Sequence, residues 1–362
     1  MKVGLVVPGN LDFPSGGFLY DRQLVAALRR AGDEVEVISL PWDSYAVSIA
    51  HNLDPRLRAR VRSWRGDLLL QDELAHPSLV LANQGLRRAG SIPTVSIVHH
   101  LRSSERLGPI ARAASLLVER EYLRSVDAFV FNGLSTRQAV EKLTGEAARG
   151  IVAAPGGDRL GCGVTEEEAA ARSSEDGALR VLFVGNLIPR KGLLDLLGAL
   201  AAIPRDGWSL TAAGSLSVDH AHARRVQRFV DDHGLGPNVV MKGHVDDAEL
   251  ARQMRASHVL AVPSEYEGFG IAYLEAMGFG VVPIGSSAGG AVEVIENGRS
   301  GFLVDPGNRE ALSRTLQHLV ADRSALRSLA LGALRRYRQS PGWAQRMAEV
   351  CSWLHAFASA GA

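Results

Sequence analysis

The chain has 362 residues, too many for one ordinary domain and comfortable for two, and its 46% hydrophobic content supplies two cores. A net charge of +1 excludes a general electrostatic drive toward nucleic acid. Two cysteines far apart, Cys162 and Cys351, exclude a disulfide framework and suit a reducing cytosol, and no Cys/His spacing suits zinc.

The first segment, "MKVGLVVPGN", carries one lysine and a short apolar run ended by Pro8, too short for a signal-peptide core. It reads as a first β-strand. No run approaches the roughly 18 apolar residues of a membrane span, so a cytoplasmic location is expected. Further β-rich apolar runs follow: "VEVIS", "DLLLQ", "TVSIV", "AFVF" and "IVAA", then "LRVLFVG", "WSLTAAG", "NVVMKG", "HVLAV", "VVPIG" and "GFLV". Helical patterns separate most of them, as in Leu24, Leu28 and Ala31 with Gly32 as stop signal, or Leu193, Leu196, Leu197 and Leu200. Strand–helix alternation implies parallel sheets covered by helices on both faces. Residues 155–178, rich in Gly, Ser and Glu, break the alternation and mark a domain boundary. The fold class expected is α/β, with two doubly wound Rossmann-like domains facing across a cleft. Their bounds are 1–155 and 179–340, joined by a linker at 156–178 and followed by a last helix at 341–362. Such sheets bind ligands at the carboxyl ends of their strands.

One arginine-rich stretch, "RLRARVRSWRG" at 56–66, has Leu57, Val61 and Trp64 at helical spacing. That stripe suits packing on the first sheet, with an anionic membrane surface as the alternative.

Three blocks carry chemistry. In "LFVGNLIPRKGLLDLLGAL" a strand ends at Gly185 and a helix starts near Gly192, with Arg190 and Lys191 in the turn. Helix amino ends favour anions, and two added cations suit a diphosphate; the alternative is a solvated basic turn. In "VPSEYEGFGIAYLEAMGFGVVPIG", Gly268 and Gly270 let backbone approach a ligand, while Glu267 and Glu275 can accept paired hydrogen bonds from vicinal hydroxyls. Equally, Glu275 would be a solvated helix acid and Glu267 an acid at a helix start. "TVSIVHHLRSSE" ends a strand in His99 and His100, which strand geometry should point in different directions. The first loop, "PGNLDFPSGGFLYDRQL", holds Gly16 and Gly17 and no G-x-G-x-x-G fingerprint, which disfavours a nicotinamide oxidoreductase.

The blocks "GNLIPRKG", "VPSEYEGFGIAYLEAMGFGVVPIG" and "AGGAVEVIENGRSGFLVDPGN", in this order and separation, look like family-four retaining glycosyltransferases of the GT-B fold. The first domain matches in pattern alone. The resemblance implies that Glu275 holds the ribose of a nucleotide and that Glu267, with the amides of Gly268, Phe269, Gly270 and Ile271, holds the donor sugar. It places Arg190 and Lys191, beside Gly185 and Asn186, at the diphosphate. Gly16 and Gly17 would face diphosphate and acceptor. His99 would lie near the donor sugar, with His100 in a structural role, and Arg102, Glu105, Asp72 and Glu73 are positioned for the acceptor side. His99, Arg190, Lys191 and Glu267 are therefore the expected catalytic residues.

No D-x-D triplet occurs, so no metal and no cofactor are expected; a UDP or GDP sugar is the expected donor substrate. The acceptor would be a sugar, lipid or small molecule, with peripheral membrane contact as an option. The function expected is retaining transfer of a hexose-type sugar to an acceptor hydroxyl. A nucleotide-sugar epimerase on the same fold and a non-catalytic nucleotide-sugar-binding partner are the alternatives.

Overall fold

The computed structural model describes residues 1–89, 92–161 and 163–361. Cys162 falls outside them, and Cys351 is a buried free thiol. The chain divides into two compact units, residues 1–155 with 343–362, and residues 156–342. The segment read as a linker contains a helix, Glu166–Ser173, started by a Thr165–Glu168 capping box, and it counts within the second unit.

Every apolar run named above forms a strand. The first unit holds β1 (Lys2–Pro8), β2 (Glu34–Leu40), β3 (Leu68–Asp72), β4 (Thr94–Val98), β5 (Ala128–Phe131) and β6 (Gly150–Val152). They form one sheet in the order β2-β1-β3-β4-β5-β6, with all pairings parallel. The second unit holds β7 (Leu179–Val184), β8 (Trp208–Ala213), β9 (Val239–Gly243), β10 (Val259–Ala261), β11 (Val282–Ser286) and β12 (Phe302–Val304). Their order is β12-β11-β10-β7-β8-β9, again parallel. Central strands β3, β4 and β5 are buried at every residue because helices cover both faces, whereas edge strand β2 alternates. That contrast is why the central runs read as unbroken apolar stretches.

The arginine-rich stretch forms the helix Pro55–Ser63, capped by Asp54. Leu57, Val61 and Trp64 are buried in the first unit's core. Gly4 of β1 makes the room: a Cβ there would lie 2.8 Å from the Trp64 ring. Trp64 Nε1 donates to Glu36 at 2.9 Å. The apolar stripe is thus spent on the sheet, which removes the membrane-surface alternative for this helix. No helix among the described residues is long and apolar enough to cross a membrane.

Candidate active site

Both sheets have one point where the strand order reverses. The loops leaving the two strands there turn to opposite faces, and the gap between them is where open parallel sheets take ligands. In the second unit the reversal lies between β7 and β10. Their exits are residues 185–192 and 262–270, the two segments that carry Arg190, Lys191 and Glu267.

The two loops are tied together by named bonds. Arg190 Nη1 donates to the Tyr266 carbonyl at 2.8 Å, and the Arg190 carbonyl accepts from the Glu265 amide at 2.8 Å. Lys191 Nζ donates to Glu267 Oε1 at 2.6 Å, and Ser264 Oγ donates to the same oxygen at 2.5 Å. Gly192 permits this approach. Its φ is +74°, and a Cβ would lie 2.2 Å from the Pro263 carbonyl oxygen. Asn186 braces the turn from the other side, its Oδ1 accepting from the Ser215 amide at 3.2 Å. Gly185 lies against Gly214, whose Cβ would fall 1.9 Å from the Gly185 carbonyl oxygen.

Burial works against the charge of Glu267, but Lys191, Arg190 and the bonds from Lys191 and Ser264 outweigh it and hold the carboxyl at about 2, well below 4.5. Burial pulls the Lys191 ammonium down, with Glu267 opposing. A carboxyl lowered on folding contributes stability above its unfolded value, lost as pH falls through its folded value. The contribution is therefore full above about pH 4.5 and gone near pH 2, and the shift corresponds to roughly 3 kcal/mol. Denaturant titrations of wild type and Glu267→Gln should differ most at neutral pH and converge in acid. A gap that stays constant with pH would show that the ion pair does not hold this loop.

After Glu267 the chain passes Gly268 and buried Phe269 and enters the helix Ile271–Gly278 at Gly270. Among the described residues, no side chain caps that amino end. Gly270 has a φ of +93°, and Tyr273 folds back to donate to the Val262 carbonyl at 2.6 Å. Free amide groups at this turn suit a ligand's oxygens. The Glu267 backbone is fixed by a segment outside the predicted site residues: its carbonyl accepts from the Gly290 amide at 2.7 Å, and a Cβ on Gly289 would lie 2.0 Å from that oxygen.

Glu275 is not a solvated helix acid. It is 3% exposed and held by Arg159, whose Nε donates to Oε1 at 2.8 Å and whose Nη2 donates to Oε2 at 3.2 Å. Burial pushes its carboxyl above the ordinary value, with Arg159 opposing.

The first sheet reverses between β1 and β3. The β1 exit leads through Ser15, which caps the helix Gly16–Arg30, so Gly16 and Gly17 form its first turn. A Cβ on Gly17 would lie 2.9 Å from the His99 ring, so the structure brings the glycine pair and His99 together. Further along that helix, fully buried Asp21 places Oδ1 3.2 Å from His99 Nε2. His100 turns away to Glu105 Oε1 at 3.0 Å, which divides the two histidines as strand geometry requires. Asp72, at the β3 exit, completes the group. Burial pushes Asp21 up to about 7 and Asp72 well above the ordinary range, and it lowers His99, so the imidazole is neutral and the two acids do not ionise together.

Asp72 and Glu73, positioned by sequence for an acceptor, are buried. Asp72 accepts from the Leu74 amide at 2.8 Å. Glu73 joins His76 and Glu119; His76 Nε2 lies 3.0 Å from the Tyr45 hydroxyl, and Arg102 stacks 4.4 Å over the Tyr45 ring. Two groups, Asp21–Asp72–His99 and Glu73–His76–Glu119, each bring ligand atoms within 4.8 Å, a donor set that suits a divalent cation. Internal bonds also serve these atoms: the Ser103 amide donates to Glu119 at 3.1 Å, and His76 Nδ1 lies 2.8 Å from the Glu73 carbonyl oxygen.

Sequence reasoning missed Asp21, Ser264, Arg159 and the Gly289–Gly290 pair. Asp21 had a signal. It lies at helical spacing with Gly17, Leu24 and Leu28, an acid on an apolar stripe. Arg159 had none, being 116 residues from its partner.

Residues 164–333, within the second unit, match the family described as Glycosyl transferases group 1. That match makes the second unit a glycosyltransferase domain of this group. The chain is 28% identical over 297 residues to a glycogen synthase of Mycobacterium tuberculosis, covering 78% of this chain and 67% of that protein. It is 27% identical over 296 residues to a GDP-mannose-dependent alpha-(1-6)-phosphatidylinositol monomannoside mannosyltransferase of Mycolicibacterium smegmatis, covering 76% and 74%. Among solved structures, sucrose-phosphate synthase from Thermosynechococcus elongatus superposes with a TM-score of 0.83 at 22% identity, covering 99% of both chains. HepE from Anabaena, solved with UDP and glucose, superposes with a TM-score of 0.75 at 20% identity, covering 98% and 99%. At those identities the likeness concerns the fold, which is GT-B, with a Rossmann-like sheet in each unit.

Proposed function

We propose that this glycosyltransferase is a retaining enzyme that moves a hexose from a nucleoside diphosphate donor to an acceptor hydroxyl. The observation that carries the reading is the convergence of Arg190, Lys191 and Glu267 at the reversal point of the second sheet, next to an uncapped helix amino end. Two cations and free amides suit a diphosphate, and an ionised carboxylate beside them suits sugar hydroxyls. The nucleotide sugars named for the mannosyltransferase relative and for HepE, GDP-mannose and UDP-glucose, set the donor classes to test.

In this reading Glu275 takes the ribose, Glu267 and the amides from Gly268 to Ile271 take the sugar, and Arg190 and Lys191 take the diphosphate. The bond from the anomeric carbon to the diphosphate breaks as the acceptor oxygen approaches the same face. The electron pair leaves with the phosphate oxygen, which also takes the acceptor's proton, so no separate base is required. Negative charge grows on the diphosphate through this step, and Arg190 and Lys191 stabilise it. His99, neutral and placed beside Asp21, is the first unit's own candidate hydrogen-bonding group. Arg190 and Lys191 fill the electrostatic role that a metal serves elsewhere.

The test is thermal stabilisation by a panel of nucleotide sugars that includes UDP-glucose and GDP-mannose. A ligand at about 100 times its Kd adds roughly 2.7 kcal/mol to stability. One donor class should raise Tm by several degrees and the sugar-free diphosphate by somewhat less. A panel with no effect on Tm would overturn the donor assignment.

A further inference from the structure

Glu275 takes the ribose in the proposed reaction, whereas its partner Arg159 has no role there. Arg159 lies in the segment before the helix Glu166–Ser173, and that segment runs directly over the helix that carries Glu275. Gly157 makes the contact possible, since a Cβ there would lie 2.7 Å from Leu274 Cγ. From this position the guanidinium bonds both oxygens of Glu275, through Nε at 2.8 Å and Nη2 at 3.2 Å. Its Nη1 donates to Asp247, at the start of the helix Asp247–Ala256. Arg159 is thus held from two sides and its side chain is 18% exposed.

We propose that Arg159 is a positioning residue for donor binding, which keeps the Glu275 carboxylate ionised and fixes its plane for the two ribose hydroxyls. The inference rests on the donor reading above and extends it to a residue outside the motif blocks. An ionised carboxylate offers about four acceptor sites, two on each oxygen. A two-point guanidinium contact uses one site on each oxygen and leaves one on each, a match for two vicinal hydroxyls. Without that cation a carboxylate buried to 3% exposure takes up a proton, and the protonated form loses an acceptor and becomes a donor. Among the described residues, the charges acting on the Glu275 carboxyl are Arg159 and, unfavourably, Asp247. The helix Arg323–Arg338 packs on the same helix through the ring of Tyr337, against Gly278.

The readout is nucleotide-sugar affinity against pH, by calorimetry with UDP-glucose and GDP-mannose, whose diphosphate diesters do not titrate near neutrality. The sign follows from burial: loss of Arg159 raises the pH at which Glu275 protonates, so the ligand is lost at a higher pH than in wild type. In Arg159→Gln, affinity should fall about tenfold at pH 8 and a further tenfold by pH 6, a steeper decline than wild type shows. Arg159→Lys should keep the wild-type pH profile with weaker binding, because it retains charge without the two-point contact. Adding Glu275→Gln to Arg159→Gln should abolish the extra pH dependence. Wild-type binding with an Arg159→Gln affinity that is unchanged, or lowered equally at every pH, overturns the positioning role alone. A wild-type chain that binds none of these nucleotide sugars overturns the donor reading, and the inference with it.

Discussion

Arg190→Ala and Lys191→Ala should each lower kcat for sugar transfer by about a hundred- to a thousandfold, with a much smaller rise in KM for the donor. In the proposed reaction these side chains face a charge that is larger in the transition state than in the bound donor, because the diphosphate gains negative charge as the glycosidic bond breaks. Arg190 reaches the Tyr266 backbone carbonyl through Nη1 and adds its charge to the Lys191–Glu267 pair. Lys191→Ala strips Glu267 of its ion-pair partner, so a stability measurement must accompany it. Arg190→Lys should rescue in part, since an ammonium lacks the planar two-point contact of a guanidinium. Initial rates of transfer, or of slow donor hydrolysis, at saturating donor decide the matter. A rise in KM with kcat unchanged would mean that the pair binds the donor uniformly and that transition-state stabilisation lies elsewhere. Binding without turnover across a broad acceptor panel would instead favour a non-catalytic nucleotide-sugar-binding protein.

Glu275→Ala should weaken binding of the free nucleoside diphosphate and of the complete donor alike, by roughly ten- to a hundredfold, the worth of a hydrogen bond to a charged group. Glu267→Gln should leave nucleoside diphosphate affinity nearly intact while lowering turnover, because Glu267 is assigned to the sugar. The two carboxylates have different cationic partners, Lys191 for Glu267 and Arg159 for Glu275, so their effects should separate. Calorimetry with the sugar-free diphosphate tests the division. Equal losses in both mutants would mean that the two roles are misassigned, and an unchanged affinity in folded Glu275→Ala would remove it from the ribose.

The sequence by itself determined the elements and the fold class. Strand runs such as "DLLLQ" and "TVSIV" are short, apolar and bounded by turn residues, and parallel strands covered on both faces permit little else. Local chemistry likewise marked the turn at Arg190 and Lys191 and the glycine-bounded entry to the helix at Ile271, since these depend on residues within one loop. The arrangement of the side chains was decided by tertiary structure. Strand order in the second sheet puts the β7 and β10 exits side by side, and only then does Lys191 reach Glu267, 76 residues away. His99 differs from its neighbour His100 because Gly17 and Asp21 lie against its ring, contacts set by the packing of a helix from the other end of the unit. Trp64 turned inward because Gly4, on a distant strand, left it a space. Arg159 meets Glu275 through a glycine-lined crossing of a loop over a helix, and no periodicity within either segment encodes that contact. A pairing between residues distant in sequence depends on sheet order and on which backbone has room beside which. One chain's local pattern contains neither quantity, whereas it contains the spacing that makes each strand and each helix.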